Sequence, residues 1–188
     1  MGSFDQTRRY DSVPSLPREL PVLLTPRGRL RPFDGRDAAD LFAIYGDPLV
    51  MRFVGEPPFP SLATVSQMLA SVERLLAGGE SLEWGLVLRG SGRLVGTCGL
   101  HSFAAGASLR QAEVGCMLAR SHWGQGLMGE ALSALIAYAR QLGIITLLAD
   151  IEPDNLPSQR LFERLGFIWQ QDTCYRLLLG EEITPDRA

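Results

Sequence analysis

Apolar and polar positions along the 188-residue chain change period several times, and each change marks an element. Residues 1–20, MGSFDQTRRYDSVPSLPREL, are polar and proline-dotted, so they are expected to form a flexible arm ahead of a single domain over 21–188. From Val22 the run VLLTPRGRLRPF alternates, with Leu30 and Phe33 late in it, which predicts a strand. DGRDAADLFAIYGDP shifts to helical spacing; Asp34 or Asp37 is placed to cap it and Pro48 follows its end. In PSLATVSQMLASVERLLAGG one stripe holds Val65, Met68, Leu69, Val72, Leu75 and Leu76, predicting a longer helix with Ser61 as N-cap and Gly78-Gly79 as its stop. EWGLVLR and RLVGTCGLHSF flank Gly90-Ser91-Gly92, a hairpin signal, and AEVGCMLA reads as a further strand. After a glycine-containing loop, Leu127, Ala131, Leu135 and Ala139 share one helix face. IITLLADI is β-rich without polar alternation and reads as a fully buried strand. PSQRLFERLG is a short helix ended by Gly166, and FIWQQ with CYRLLL closes the sheet as a hairpin. The order β-α-α-β-β-β-α-β-α-β-β predicts a mixed α/β (α+β) fold of about seven strands and about four helices.

Composition changes this picture little. The chain is 46% apolar and 21% charged, ordinary for a globular protein. A net charge of −3 offers no basic face, so nucleic acid is not an expected partner. No apolar run reaches the roughly 18 residues a membrane span needs, and no apolar signal core opens the chain, so a cytoplasmic protein is expected. Cys98, Cys116 and Cys174 form no C-x-x-C pair and lie in apolar, strand-like runs, as buried small hydrophobes do. His101 and His122 lack ligand-like spacing, and no metal is expected.

The loop before the third helix carries the chemistry. Gly124-Gln125-Gly126-Leu127-Met128-Gly129 spells G-x-G-x-x-G, and Asp150 follows at the distance of a ribose-binding acid. A nicotinamide site, however, needs a buried strand running straight into the first glycine. Here the residues two and four positions before it are His122 and Arg120, and the apolar strand stops near Leu118 or Ala119. Too few strands follow Asp150 to complete a doubly wound sheet, and no Gly-Lys-Ser/Thr supports a P-loop. The same physics suits another phosphate ligand: a glycine-containing loop entering a helix presents free N–H groups and partial positive charge to a pyrophosphate.

Three stretches together resemble the GCN5-related N-acetyltransferases, and more narrowly their ribosomal-protein-acetylating branch. They are LLTPRGRLRPFDGRDAADLFAIYGDPLVMRFV, AEVGCMLARSHWGQGLMGEAL and DIEPDNLPSQRLFERLGF, and the resemblance covers about 22–180. It implies a mostly antiparallel mixed sheet that splays between the family's fourth and fifth strands, with acetyl-CoA as cosubstrate. Its pantetheine arm would lie along the backbone of Met117, Leu118 and Ala119. Its pyrophosphate would lie in the loop of Trp123, Gly124, Gln125, Gly126, Leu127, Met128 and Gly129. An N–H near Met117 or Leu118 would polarise the thioester carbonyl. The resemblance also implies an amine acceptor, either a protein N-terminus or a small molecule, and homodimers as a common assembly.

Transfer to an amine needs a proton acceptor, oxyanion donors and a donor to the departing thiolate. By resemblance Ser158, three residues after Asn155, is the donor to sulfur. Asn155 caps its helix and contacts the pantetheine. Many members carry a tyrosine where this chain has Phe162, which packs beside the cofactor or in the core. Met128 stands where a small residue is common and narrows an approach to the phosphates. Glu113 is the leading base, with Tyr175, His101 and Glu83 behind it. Glu130 reads as structural, and Cys116 carries no mark of an activated nucleophile. EPPFPSLATV and AAGASLRQ are expected to border the acceptor. The alternative is a non-catalytic acyl-CoA-binding or protein-interaction module on the same scaffold.

Overall fold

The computed structural model of the chain describes residues 16–103 and 111–180. The alternating run at 22–33 is not one strand but a tight hairpin, β1 (Leu23–Leu24) and β2 (Gly28–Arg31). Pro26 has no N–H to give a ladder, and the turn is closed by the Thr25 amide donating to the Gly28 carbonyl at 3.1 Å. This raises the expected seven strands to eight. Then follow α1 (Ala38–Tyr45), α2 (Leu62–Gly78), β3 (Ser81–Leu88), β4 (Leu94–His101), β5 (Gln111–Leu118), α3 (Leu127–Gln141), β6 (Thr146–Asp150), α4 (Leu156–Arg164), β7 (Ile168–Gln171) and β8 (Cys174–Leu178).

All eight strands form one sheet in the order β1-β2-β3-β4-β5-β6-β8-β7. Every neighbouring pair is antiparallel except β5 and β6, which α3 joins by a crossover. The expected mixed, mostly antiparallel sheet is therefore present, and a doubly wound parallel one is not.

Apolar clusters cover both faces. On one, Trp84, Leu100 and Leu147 of the sheet pack with Leu132 and Leu135 of α3 and Phe162 of α4. On the other, Leu41 and Ile44 of α1 and Val65 of α2 meet Val87 and Leu94. Trp84 lies edge-on to Tyr138, and its indole N–H donates to the Pro21 carbonyl at 2.9 Å. Leu16 and Leu20 pack against this larger cluster, so the end of the segment read as an arm belongs to the folded body; residues 1–15 lie outside the described residues.

Both aspartates expected to cap the first helix are used. Asp34 caps a short 3-10 turn, Gly35–Asp37, that leads into α1, and the Asp37 carboxylate accepts the Asp34 amide at 2.7 Å. Ser61 stands at the N-cap of α2 in extended backbone, but its side chain accepts no amide there. Gly79 ends α2 in the left-handed conformation, as expected. Among the described residues, no helix is long and apolar enough to cross a membrane.

Candidate active site

The parallel pair supplies an opening. β5 and β6 are paired only from Gln111–Glu113 to Thr146–Leu148; from Val114 to Leu118, β5 continues with a partner on the β4 side alone. Backbone alternation decides which groups face the gap. The Ala119 amide donates to the Val95 carbonyl at 2.8 Å, so the same bonded alternation gives Met117 to Thr97 and Gly115 to Gly99. The amides of Cys116 and Leu118 then point away from β4, into the gap. Of the two amides expected near a thioester carbonyl, Leu118's faces the gap and Met117's is held in the ladder. The Leu118 carbonyl accepts the Trp123 indole N–H at 2.8 Å, which fixes Trp123 at the mouth.

Two helix N-termini flank that mouth, because β5 and β6 end on the same side of the sheet. β5 stops at Leu118, six residues before Gly124, and a 3-10 turn over Arg120–His122 intervenes. Gly124 and Gly126 have φ of +70° and +76°, a region that penalises any Cβ, and Gly126 is the N-cap of α3. The first-turn amides of α3 have no intrahelical partner and open toward this exposed loop. Leu127 and Met128 contribute backbone only: their side chains are buried, and Met128 reaches under Gly96. The expectation that Met128 narrows the approach to the phosphates is thus corrected, since its side chain fills the core instead.

Arg27 was not anticipated. Its guanidinium donates to the Gln125 carbonyl at 2.6 Å and to Glu130 at 2.7 Å, and its own amide donates to Glu130 at 3.2 Å. Glu130 therefore has the structural role expected of it, anchoring the β1–β2 turn to the glycine loop. A contact between residues 103 apart leaves no local signal in sequence.

At the other lip, Asn155 caps α4, its Oδ1 accepting the Ser158 amide at 3.4 Å, with Pro157 in the first turn. The Ser158 hydroxyl makes no hydrogen bond among the described residues, so it is not consumed by local backbone. Phe162 resolves toward the core: it is 4% exposed and edge-on to Phe167 with centroids 5.0 Å apart. Tyr175 is also buried, in the same cluster.

The sheet face under α1 and α2 gathers the remaining polar groups. Glu113 pairs with His101 at 3.6 Å, and both side chains are about two-fifths exposed, at 41% and 39%. One row away, Glu83 accepts the Ser81 hydroxyl at 2.8 Å, and burial pushes its carboxyl up to about 7. Tyr45 shares a 2.8 Å hydrogen bond with Thr97 and stacks on Phe59, whose amide donates to the Tyr45 carbonyl. This places the expected segment 56–65 beside that face. Of the other expected segment, AAGASLRQ, only Gln111 is among the described residues. Burial pushes the Cys116 thiol up to about 12 and the Cys98 thiol well above its usual range, so neither supplies a thiolate nucleophile. Among the described residues, no group of three or more His, Cys, Asp or Glu is placed to hold a metal ion.

Comparisons with known proteins agree with this arrangement. Residues 27–168 match the model of the acetyltransferase (GNAT) domain. The chain is 30% identical over 167 residues to the uncharacterized N-acetyltransferase YoaA of Bacillus subtilis, covering 88% of this chain and 92% of YoaA. It is 30% identical over 149 residues to the uncharacterized N-acetyltransferase p20 of Bacillus licheniformis, covering 79% and 83% respectively. Among solved structures, Mycobacterium smegmatis RimJ in complex with CoA-disulfide superposes with a TM-score of 0.71 at 21% identity, over 89% of this chain and 90% of RimJ.

Proposed function

This chain belongs to the GNAT acetyltransferase family and is an acyltransferase, and from that premise we propose that it moves an acetyl group from acetyl-CoA to a primary amine by direct attack. The observation that carries this reading is the unpaired edge of β5. It leaves the amides of Cys116 and Leu118 free to pair with an extended pantetheine arm, and it ends at a glycine loop whose free amides suit a pyrophosphate. The residues fit such a cosubstrate: free α3 amides and Gly124–Gly129 for the phosphates, the Leu118 amide for the thioester oxygen, and Asn155 beside the arm. The acceptor is a protein N-terminal α-amine or a small-molecule amine.

An alkylammonium must lose a proton before it attacks, and the face under α1 and α2 offers two carboxylates for this, Glu113 and Glu83. Ser158 lies in the first turn of α4 with a free hydroxyl, available to donate to the departing thiolate. Calorimetric titration with acetyl-CoA, with NADH as control, tests the reading at its root. Saturable binding of acetyl-CoA and silence with NADH are expected. No binding of acetyl-CoA would overturn it, and binding without turnover on any amine would favour a non-catalytic acyl-CoA-binding module.

Ser158→Ala is expected to lower kcat about tenfold to 150-fold while leaving acetyl-CoA affinity within a factor of about two, since one hydrogen bond to a charged leaving group is worth roughly 1.5–3 kcal/mol. Stopped assays of thiol release, read beside calorimetry, separate the two parameters. A Ser158→Ala enzyme with unchanged kcat would assign this hydroxyl to the helix alone.

A further inference from the structure

We infer that Glu83, rather than Glu113, takes the proton from the acceptor amine, and that the amine reaches it along a trough floored by Gly99 and Gly115. The inference rests on the N-acetyltransferase reading above and names the base and acceptor path of the same site.

Strand register sets the geometry. Across β3, β4 and β5, Glu83 faces Gly99, which faces Gly115. The row on one side is Ser81, His101 and Glu113, and on the other Gly85, Thr97 and Met117. All three rows share the face under α1, since Thr97 bonds to Tyr45 there. The Glu83 side chain lies over Gly99: a Cβ at that position would overlap both carboxylate oxygens. Gly99 is what lets the carboxylate cross from β3 onto β4. Beyond it, a Cβ on Gly115 would meet, among the described residues, the His101 Nε2 at 3.3 Å and nothing else within 4 Å. The carboxylate is then about one strand spacing, roughly 4.8 Å, from the open edge of β5. A nitrogen seated beside Gly115 is within reach of Glu83 through one bridging water, and it lies beside the thioester gap at once.

Glu113 lacks both properties. It lies on the last β5 residue still paired with β6, opposite Leu148, so the sheet is closed at its row. Its carboxylate sits beside His101 in a half-exposed setting. Glu83 has one oxygen held by the Ser81 hydroxyl, and its other oxygen has no hydrogen-bond partner among the described residues. Among the described residues, the groups that share its face are the Tyr45 hydroxyl from α1, Ser81 on its own strand, His101 from β4 and Glu113 from β5, while the Cys98 and Cys116 thiols lie on the opposite face of the sheet. From α2 there is none, because Glu73 and Arg74 point to solvent.

The ammonium gives one proton to the Glu83 carboxylate through the bridging water, and the freed lone pair forms the C–N bond to the thioester carbon while the carbonyl pair moves to oxygen. Collapse restores the carbonyl and breaks the C–S bond. The second nitrogen proton passes by way of the Ser158 hydroxyl to sulfur, leaving amide and CoA thiol, and Glu83 returns its proton to solvent.

The test uses the full chain, acetyl-CoA and two amine probes: a tripeptide with a free N-terminal alanine, and spermidine. Thiol release is followed from pH 5.5 to 9.5 for wild type, Glu83→Gln, Glu113→Gln and Gly99→Ala, with acetyl-CoA affinity measured for each. Glu83→Gln is expected to lose about a hundredfold in kcat/KM, with unchanged acetyl-CoA affinity, and to lose the acid limb near neutrality. Gly99→Ala, which displaces the carboxylate while keeping it, is expected to lose activity in the same direction. Glu113→Gln is expected to keep the limb. A Glu83→Gln enzyme with the limb in place, or a Glu113→Gln enzyme without it, overturns the inference while leaving the transferase reading intact. Wild-type protein that binds acetyl-CoA but acetylates neither probe overturns both.

Discussion

Asp37→Ala is expected to lose about 3–5 kcal/mol of stability, read as a lower urea midpoint at unchanged slope. The Asp37 carboxylate is 6% exposed and accepts both terminal nitrogens of Arg31 at 2.7 Å as well as the Asp34 amide. Removing it leaves a half-buried guanidinium with only the Pro32 carbonyl and an N–H of the capping box without its acceptor, so the penalty exceeds that of one lost bond. Arg31 ends β2 and Asp37 opens α1, so this clamp also fixes the angle at which α1 leaves the sheet. α1 carries Tyr45 to Thr97, and some loss of activity with either amine probe is expected below the new midpoint. Asp34→Ala is the contrast. Its partner Arg36 is fully exposed, and although that pairing holds the Asp34 carboxyl well below its usual range, solvent screens most of its worth. A loss as large as that of Asp37→Ala would show that the cap, not the buried pair, holds the turn.

What could be read in the sequence was local, and what could not was register. The choice between a nicotinamide and a different phosphate ligand was decided by Arg120 and His122, polar where a strand must be buried, and β5 does stop at Leu118. Asn155 and Gly79 announced a cap and a stop through chemistry confined to one turn. The hairpin at Pro26 was hidden because its strands, of two and four residues, are too short to show a period of their own; the pairing puts Leu23 and Leu30 on one face, where a single strand would put them on opposite faces. Arg27 could not be seen against the glycine loop, since nothing in a run of residues reports a partner 103 positions away. Glu83 and Glu113 looked alike as acids in strands. Their difference lies in what each one faces across the sheet, Gly99 for Glu83 and His101 for Glu113, which depends on strand register and, for Glu83, on the irregularity of the β3–β4 pairing at Leu86–Val87. Phe162, read as packing beside the cofactor or in the core, and Met128, read as narrowing an approach to the phosphates, are both core side chains, on the inner faces of α4 and α3.

The second large effect needs neither cosubstrate nor acceptor. Glu83→Gln is expected to gain stability relative to wild type as pH rises from about 4 to 8, the difference widening by up to about 3 kcal/mol. In the fold, burial raises the Glu83 carboxyl to about 7; in the unfolded chain it titrates near the ordinary 4.5. Between those values the native state holds the proton more often than the unfolded state, so wild-type stability falls as pH rises through the interval and levels off above it. Each unit of separation is worth about 1.4 kcal/mol, which sets the upper figure. Glutamine has no proton to lose and keeps an oxygen to accept the Ser81 hydroxyl, so the variant lacks this slope. Chemical denaturation of both proteins at a series of pH values reads the divergence directly. Parallel curves would mean that water reaches the carboxylate over Gly99 freely, and a base there would have no reason to titrate near neutrality. Divergent curves would mean that the fold keeps a carboxylate at a cost in stability it could avoid with one substitution. A group retained on those terms, one strand spacing from the open edge of β5, is best accounted for by the proton it accepts there.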